Sequence, residues 1–311
     1  MRVAVTGSTG LVGRALGVAL EARGDELVPI ERSDRGGLFW TREGDARLID
    51  AEGRGPDAVV HLAGAPIAER RWTEDYKREI RESRIEGTRA LVDAIGRLET
   101  PPSVLVSASA IAVYGPDRGD AVLAEADVPD AVLDGPAPDY LTEVAYGWER
   151  EAERARHLPG GAAVERVVRL RIGIVLDADG GALEKMMPPF RFGLGARLAS
   201  GRQWTSWITT ADLVAVILAC LDDRRYDGPL NCVAPGAVTN AAFTRELARA
   251  LRRPVLPGMF VPRFALRLMV GEFADAALLQ SHRVTPARLD ELGFPFAARD
   301  LPTALGQVLG R

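Results

Sequence analysis

Residues 1–16 read MRVAVTGSTGLVGRAL, in which Gly7, Gly10 and Gly13 are spaced three apart after an apolar run. The run at 3–5 is typical of a buried strand, and the residues after the last glycine have a helical pattern. In a strand–turn–helix unit, the first glycine permits a tight turn, the second lets the backbone approach a pyrophosphate, and the third lets the helix pack closely. The free helix amides and the helix dipole favour an anion there. We therefore predict that this turn binds a dinucleotide.

Apolar runs alternate with helical patterns as far as residue 176. Predicted strands cover 3–6, 26–30, 57–64, 103–110 and 164–176, and predicted helices cover 11–23, 71–98 and 140–157. Alternating strands and helices are typical of βαβ units, and strands that are apolar throughout indicate a sheet covered on both faces. The sequence therefore predicts an α/β fold with a doubly wound parallel sheet of the Rossmann type.

The pattern changes in the second half of the chain. Residues 115–139 are rich in Gly, Pro and Asp and are expected to form a long loop. Few clear elements are visible from 177 to 210, and further helices are predicted at 211–223, 239–252, 262–281 and 286–292. We therefore expect an NAD(P)-binding Rossmann domain at 1–176, joined by 205–235. Residues 177–204 and 236–311 are expected to form a smaller, mostly helical C-terminal lobe on the substrate side.

The composition argues against several classes of partner. The 311 residues include 39 basic and 43 acidic ones, mixed along the chain, so neither a nucleic-acid surface nor a membrane surface is expected. No apolar run approaches the roughly 18 residues of a membrane span, and no signal peptide is evident. Cys220 and Cys232 are expected to be reduced thiols, and the three histidines lack the spacing of metal ligands, so no metal is expected. A cytoplasmic protein is the expectation.

The end of the second predicted strand contains opposing signals for the choice of cofactor. Glu31 could accept hydrogen bonds from a free ribose 2′-hydroxyl, which favours NAD. Arg32 could bind a 2′-phosphate, which favours NADP. The residues alone leave both cofactors open.

Several longer stretches resemble a known family. TGSTGLVG (6–13), HLAGAP (61–66), SRIEGTRALVDAI (83–95) and SASAIAVYG (107–115) occur in this order. They resemble the extended short-chain dehydrogenases/reductases of the NAD(P)-dependent epimerase/dehydratase type. Residues 71–84, 180–208 and 270–296 are similar to its atypical branch, labelled sugar-nucleotide epimerase-like, which has a small C-terminal domain of unassigned function.

The resemblance implies a set of cofactor contacts and favours NADP, with NAD still possible. Arg32 would meet the 2′-phosphate. Arg84, at the family's Asn position, could pair with a cofactor phosphate or an anionic substrate, and Glu79 could orient it or reach the adenine end. The other implied contacts are around the pyrophosphate (Gly7, Thr9, Gly10, Leu11, Val12, Gly13), under the ribose (Leu62, Ala63, Gly64) and near the nicotinamide (Ser107, Ala108, Gly173, Ile174, Val175).

The family's catalytic set is incomplete in this chain. The family uses a Tyr and a Lys four residues apart for acid–base catalysis, together with a Ser and an Asn. The family register places Leu141 and Ala145 at the Tyr and Lys positions, whereas Ser109 matches the Ser position. Tyr140 lies next to the missing Tyr, and we expect it to reach a bound ligand at the mouth of the helix. Tyr146 and Arg150 keep the spacing, but arginine does not replace lysine chemically.

Two functions remain open on this basis. The first is an NADP(H)-binding oxidoreductase or epimerase-like enzyme acting on an unidentified small substrate, with Ser109 and Tyr140 as catalytic candidates. Lys185, Arg202 and Trp204 are expected on its substrate side. The alternative is a non-catalytic regulatory protein that senses NADP(H). A monomer or a homodimer is expected, since the helix predicted at 71–98 could pair with a second copy.

Overall fold

The structure is a computed structural model that describes residues 1–34, 37–41, 45–254 and 258–310. Its strands are β1 (Arg2–Thr6), β2 (Glu26–Glu31), β3 (Leu38–Trp40), β4 (Ala46–Arg47), β5 (Ala58–His61), β6 (Val104–Ala110), β7 (Val122–Leu123), β8 (Arg166–Ile172), β9 (Ile174–Leu176), β10 (Arg197–Leu198), β11 (Trp204–Thr205), β12 (Trp207–Thr209), β13 (Gly228–Cys232), β14 (Val238–Thr239), β15 (Phe260–Val261) and β16 (Arg283–Val284). Its α-helices are α1 (Leu11–Ala22), α2 (Glu74–Ile95), α3 (Tyr140–Glu153), α4 (Gly181–Arg191), α5 (Thr210–Asp222), α6 (Asn240–Ala250), α7 (Arg263–Val270), α8 (Ala287–Glu291) and α9 (Leu301–Val308).

The central sheet has the order β13-β8-β6-β5-β1-β2-β3-β4. Every neighbouring pair is parallel except β3 and β4, which are antiparallel. Strands β2 and β3 follow β1 on one side of it. Strand β5 lies on the other side of β1, and β6, β8 and β13 follow it outward. The order therefore reverses between β1 and β5, and in such sheets ligands bind at the carboxyl ends of the strands around this point.

Two helical layers cover the sheet. On one face, Leu16 of α1 and Ile217 of α5 pack against Val5 and Val60 in a cluster that also includes Leu289 of α8. On the other face, Leu91 of α2 and Ala152 of α3 pack against Val59 and Leu105. Both faces are apolar, as the unbroken apolar strands predicted. The predicted Rossmann-type parallel sheet is confirmed.

A second core lies beyond the sheet. Helices α4, α6 and α9 pack around the fully buried Trp207, whose indole nitrogen donates to the Gly236 carbonyl at 2.9 Å. This part of the chain is mostly helical, as predicted. The exact division of the chain into two domains remains a prediction. Among the described residues, no helix is both long and apolar enough to cross a membrane.

Several elements differ from the predicted ones. The strand predicted at 164–176 is interrupted at Gly173, where a Cβ atom would lie 2.7 Å from the Ser206 carbonyl oxygen, and the chain then pairs with β12. The helix predicted at 262–281 ends at Val270, because Gly271 has a φ of +68° and a single π-helical turn follows it. The loop at 115–139 contains β7, which pairs with β16 from the C-terminal part. These breaks shape the region beyond the carboxyl ends of β6 and β8.

Candidate functional site

Three adjoining cavities lie along the carboxyl ends of the central strands. The outer cavity, of about 570 Å³, lies between the glycine turn and the end of β2. The middle cavity, of about 390 Å³, lies above β6 and shares Gly7 and Gly13 with the outer one. The apolar cavity, of about 270 Å³, shares Ala110 and Gly173 with the middle one and reaches α4 and α6. Together they form one cleft that crosses the switch point of the sheet.

The glycine turn has no room for side chains. Gly7 has a φ of +70°, and a Cβ atom there would lie 3.0 Å from the Ala63 nitrogen. A Cβ atom at Gly13 would lie 2.2 Å from the Gly7 carbonyl oxygen. The cap residue of α1 is Gly10, which has no side chain to accept a hydrogen bond from the first helix amides, and the first turn contains no acidic residue. The first amides of α1 are therefore available to an anion at the cleft.

Two arginine side chains line the outer cavity beside the glycine turn. Arg32 lines it, as does Arg14, which donates to the Thr9 carbonyl at 2.6 Å. Glu31 lines the same cavity. Arg14 was missed by the sequence analysis, although its position directly after the third glycine places it on the first turn of α1. Two guanidinium groups at this end suit a phosphate group.

Arg84 contributes a cation to the middle cavity. Its guanidinium donates to the carbonyl groups of Ala65 at 3.0 Å and Ile80 at 3.2 Å, and its central carbon lies 5.1 Å from the Trp148 ring. The guanidinium also lies close to Gly64, three residues after β5, where a Cβ atom would be 3.2 Å from the guanidinium carbon. Burial lowers the pKa of Arg84 to about 10, and no carboxylate among the described residues pairs with it. The Arg84 side chain is thus a largely buried cation that borders the cleft without an anionic partner.

Ser109 lines the middle cavity, but its hydroxyl is engaged elsewhere. Its Oγ donates to Oε1 of Glu149 at 2.8 Å, and Glu149 in turn accepts from Arg171 at 2.9 Å and 3.0 Å. All three side chains are buried. The Ser109 proton is therefore directed at a buried carboxylate rather than at the cleft. Its predicted catalytic role gains no support from this geometry.

Tyr140 lies outside the three cavity linings, and its expected contact with a bound ligand remains a prediction. Its hydroxyl donates to the Lys77 carbonyl at 2.5 Å, and its ring packs edge-on against Trp72 at 5.4 Å. Burial raises the pKa of Tyr140 to about 12, and Tyr140 lines none of the three cavities. Leu141 and Ala145, by contrast, do line the middle cavity. Apolar side chains thus stand where the family places its Tyr and Lys.

The other predicted site residues divide into two groups. Those that line one of the three cavities are Gly7, Thr9, Gly10, Leu11, Val12, Gly13, Leu62, Ala63, Ala108, Gly173, Ile174 and Trp204. Ser107 is buried and donates to the Ala108 carbonyl, and Val175 lies in β9 outside the cavity linings. Glu79 pairs with Arg70 on the surface, and Lys185 donates to the Ala68 carbonyl at 2.9 Å. Arg202 lines a separate polar cavity of about 330 Å³.

His282 is a cavity residue that the sequence analysis did not propose for the site. Its Nε2 lies 2.7 Å from the Gly115 carbonyl oxygen, which can only accept, so Nε2 carries a hydrogen. Burial lowers the pKa of His282 below 6.5. Of the side chains that line the apolar cavity, it is the one whose charge could change near neutral pH. Nothing in its sequence neighbourhood signals this, because the contact spans the two halves of the chain.

His61 is a structural residue whose burial makes stability depend on pH. Its ring bonds the hydroxyls of Thr6 at 2.7 Å and Thr88 at 3.0 Å, and burial lowers its pKa from 6.5 to about 3. Between pH 6.5 and pH 3, this histidine is protonated in the unfolded chain but neutral in the folded protein. The free energy of unfolding therefore falls as the pH falls through this range. Denaturant titrations of wild type and His61→Gln at pH 7 and pH 4.5 test this. From pH 7 to pH 4.5, the free energy of unfolding of wild type should fall by about 3 kcal/mol more than that of His61→Gln. A difference between the two proteins that does not change with pH would contradict the account.

The Glu149 network is expected to hold β6, β8 and α3 together. Glu149→Gln leaves the buried Arg171 with a neutral partner, and we expect a loss of about 3 kcal/mol in the free energy of unfolding. Glu143→Gln on the same helix is the control, because Glu143 is about half exposed and its ion pair with Arg81 contributes about 0.5 kcal/mol or less. Chemical denaturation of both variants measures the difference, and equal losses would refute a structural role for the network.

The comparisons with known proteins agree with this architecture. Residues 3–140 match the NAD dependent epimerase/dehydratase family, and residues 261–308 match a domain of unknown function, DUF1731. The chain is 36% identical to an epimerase family protein of Mycobacterium leprae over 99% of its own length and 96% of the relative. It is 37% identical to a chloroplastic homologue of the epimerase family protein SDR39U1 from Arabidopsis thaliana, over 99% and 87% of the two chains.

Two solved structures share both fold and sequence. Human epimerase family protein SDR39U1, solved with NADPH, superposes with a TM-score of 0.85 at 33% identity over the whole of both chains. A nucleoside-diphosphate sugar epimerase from Corynebacterium glutamicum gives a TM-score of 0.76 at 31% identity, over 100% of this chain and 58% of the other. The fold and the cleft define a protein of the extended short-chain dehydrogenase/reductase class. Within it, the chain belongs to the NAD dependent epimerase/dehydratase family, in the branch with a C-terminal DUF1731 domain.

Proposed function

We propose that this protein binds NADP(H) along the cleft and transfers a hydride between the nicotinamide and a small substrate in the apolar cavity. The observation that carries this is the continuity of the three cavities across the ends of β1, β6 and β8. A ligand whose diphosphate meets the glycine turn can extend through the middle cavity toward Ala110 and Gly173. There it would border the apolar cavity.

The residues present fit this cofactor. The amides that follow Gly10 would bind the diphosphate, and the glycine contacts leave a cradle that a Cβ atom would fill. Arg14 and Arg32 would bind the 2′-phosphate, which favours NADP over NAD. The human relative that shares 33% of its sequence was solved with NADPH. When bound, the nicotinamide supplies the hydride chemistry, and the protein orients it.

A second candidate function is a sensor that binds NADP(H) without turnover. It is favoured because the hydroxyl groups of both catalytic candidates are bound within the protein. The Ser109 hydroxyl donates to Glu149, and the Tyr140 hydroxyl donates to the Lys77 carbonyl. Leu141 and Ala145 offer no proton. Screening the NADPH-loaded protein for cofactor oxidation with small aldehydes and ketones separates the two functions, because a sensor oxidises no more NADPH than buffer does.

The choice of cofactor is tested with Arg32. We expect Arg32→Ala to weaken NADPH binding about tenfold or more and to leave NADH binding unchanged, since a lost charge-assisted bond to phosphate is about 1.5–3 kcal/mol. Arg23→Ala is the matched control, because Arg23 follows the other end of α1 and pairs with Asp222. Cofactor fluorescence titrations measure both. Failure of wild type to bind either nucleotide would refute the proposed function, and equal loss of NADH and NADPH would refute the role of Arg32.

A further inference from the structure

None of the described residues that line the apolar cavity is Asp, Glu, Lys or Arg. Its walls come from separate regions of the chain, among them Ile174 after the Gly173 break, Phe190 on α4, Phe243 on α6 and Leu278 in the π-helical turn. Trp204 closes one side. Among the described lining residues, His282 is the side chain that titrates nearest to neutral pH, and burial lowers its pKa, which favours the neutral ring. Any ligand held here therefore meets an uncharged surface.

Three polar side chains of the apolar cavity are engaged within the protein, and the hydroxyl-bearing residues Thr205 and Thr244 also line it. Ser206 donates to the His282 carbonyl at 2.8 Å and accepts from the Val284 amide at 2.9 Å. The ring of His282 donates to the Gly115 carbonyl at 2.7 Å. The indole nitrogen of Trp204 donates to Asp120 at 2.7 Å. These groups serve the fold and offer little to a ligand.

Both amide side chains of this cavity use their oxygen atoms within the protein. Asn240 accepts from the Leu198 amide at 2.7 Å. Gln280 donates to the Asp275 carbonyl at 2.5 Å and accepts from the Asp117 amide. A ligand rich in hydroxyl groups would lose its water contacts here without equivalent replacements, and each unmatched buried polar group costs about 1–3 kcal/mol.

The neighbouring polar cavity does not supply a diphosphate site either. Its arginines are Arg202 and Arg263, and Arg263 already binds Asp275 at 2.7 Å. Asp117 and Asp120 line the same cavity. Two carboxylates beside two guanidinium groups leave no net positive charge there to compensate a diphosphate. The described residues that line these two cavities thus provide no net positive charge for the diphosphate of a nucleoside-diphosphate sugar.

We infer that the substrate is a small, uncharged and mainly apolar carbonyl compound or alcohol, and not a nucleoside-diphosphate sugar. The inference rests on the proposed function, because the apolar cavity becomes a substrate site only when the cofactor occupies the middle cavity. Hydride from the cofactor reduces the carbonyl carbon to an alkoxide, which takes its proton from water. In the other direction the alcohol loses a hydride to the oxidised cofactor and its hydroxyl proton to water.

Displacement of a neutral probe from the NADPH-loaded protein tests the inference. The probe is N-phenyl-1-naphthylamine, whose fluorescence rises in apolar sites. In wild type we expect 2-octanone, cyclohexanone or benzaldehyde to displace the probe at concentrations about tenfold or more below those of UDP-glucose or UDP-glucuronic acid. Displacement by either UDP-sugar at equal or lower concentrations would overturn the inference.

A pair of tryptophan variants locates the probe. Ala277→Trp fills the apolar cavity from the π-helical turn, and we expect it to weaken probe binding about tenfold or more. Leu268→Trp is the control, because Leu268 on α7 is 75% exposed and lines none of the cavities described. Equal binding of the probe by both variants would overturn the placement. NADPH fluorescence, measured separately on wild type, shows whether the proposed function fails independently of the substrate class.

Discussion

A Gly13→Ala variant is expected to bind NADPH about 100-fold more weakly than wild type, with a loss of about 3 kcal/mol in the free energy of unfolding. The physical reason is a clash with backbone. The new Cβ atom would lie 2.2 Å from the Gly7 carbonyl oxygen and 2.7 Å from the Ser8 Cα atom. Both are backbone atoms, which cannot rotate away as the end of a flexible side chain can. Either α1 or the glycine turn must therefore shift.

That shift matters for binding because the amides at the start of α1 are aimed by the turn. The Gly10 amide donates to the Gly7 carbonyl at 3.0 Å, which fixes the direction of the following amides. The expected 100-fold loss corresponds to about 2.7 kcal/mol, which equals one to two amide–phosphate bonds, since hydrogen bonds to charged groups contribute about 1.5–3 kcal/mol each.

Gly87→Ala in the interior of α2 is the control, because Gly87 lines none of the three cavities. Its Cβ atom would lie 3.6 Å from Cζ2 of Trp40, which is an ordinary van der Waals distance. Alanine also favours the interior of a helix by up to about 1 kcal/mol, so we expect unchanged NADPH binding and equal or higher stability. Fluorescence titration and chemical denaturation of both variants provide the readouts. A Gly13→Ala protein that is folded and binds NADPH as wild type does would contradict the assignment of the turn.

Replacing Arg84 with methionine is expected to change binding and stability in opposite directions. NADPH binding should weaken about tenfold to 100-fold, because the middle cavity loses its cation. The free protein should keep its stability or gain up to about 2 kcal/mol, because a largely buried charge without a carboxylate partner is replaced by an apolar side chain of similar length. A residue that served only the fold would lose stability on the same substitution.

Two further variants control for charge and position. Arg84→Lys keeps the cation but loses the planar pair of donors, so we expect it to recover part of the binding. Arg81→Met removes a cation from the exposed side of α2, where Arg81 pairs with Glu143, and should leave NADPH binding unchanged. If Arg84→Met bound NADPH as wild type does, Arg84 would have no part in the cofactor site.

The fold and the cofactor end of the cleft could be predicted from local sequence. The glycine spacing determines the turn because each glycine meets backbone atoms within a few residues or on the adjacent strand. The parallel sheet followed from strands that are apolar throughout. The long helix predicted at 71–98 is present as α2, and its start is signalled by Thr73, whose side chain accepts from the Tyr76 amide at 3.2 Å.

The catalytic end could not be predicted, because its features depend on contacts between distant segments. Tyr140 lies next to the family's Tyr position, yet its hydroxyl is bound by the Lys77 carbonyl, which belongs to a different helix. His282 lines the apolar cavity through its bond to Gly115, far away in sequence. Helix α4 has no clear sequence signal either, since Pro188 and Pro189 lie inside it.

A crystal structure of the protein with NADPH tests the central claim most directly. The account predicts that the diphosphate accepts hydrogen bonds from the amides after Gly10 and that the 2′-phosphate lies between Arg14 and Arg32. It also predicts that the nicotinamide lies beside Gly173, at the boundary between the middle and apolar cavities. A diphosphate bound away from the glycine turn, or a nicotinamide turned away from the apolar cavity, would contradict it.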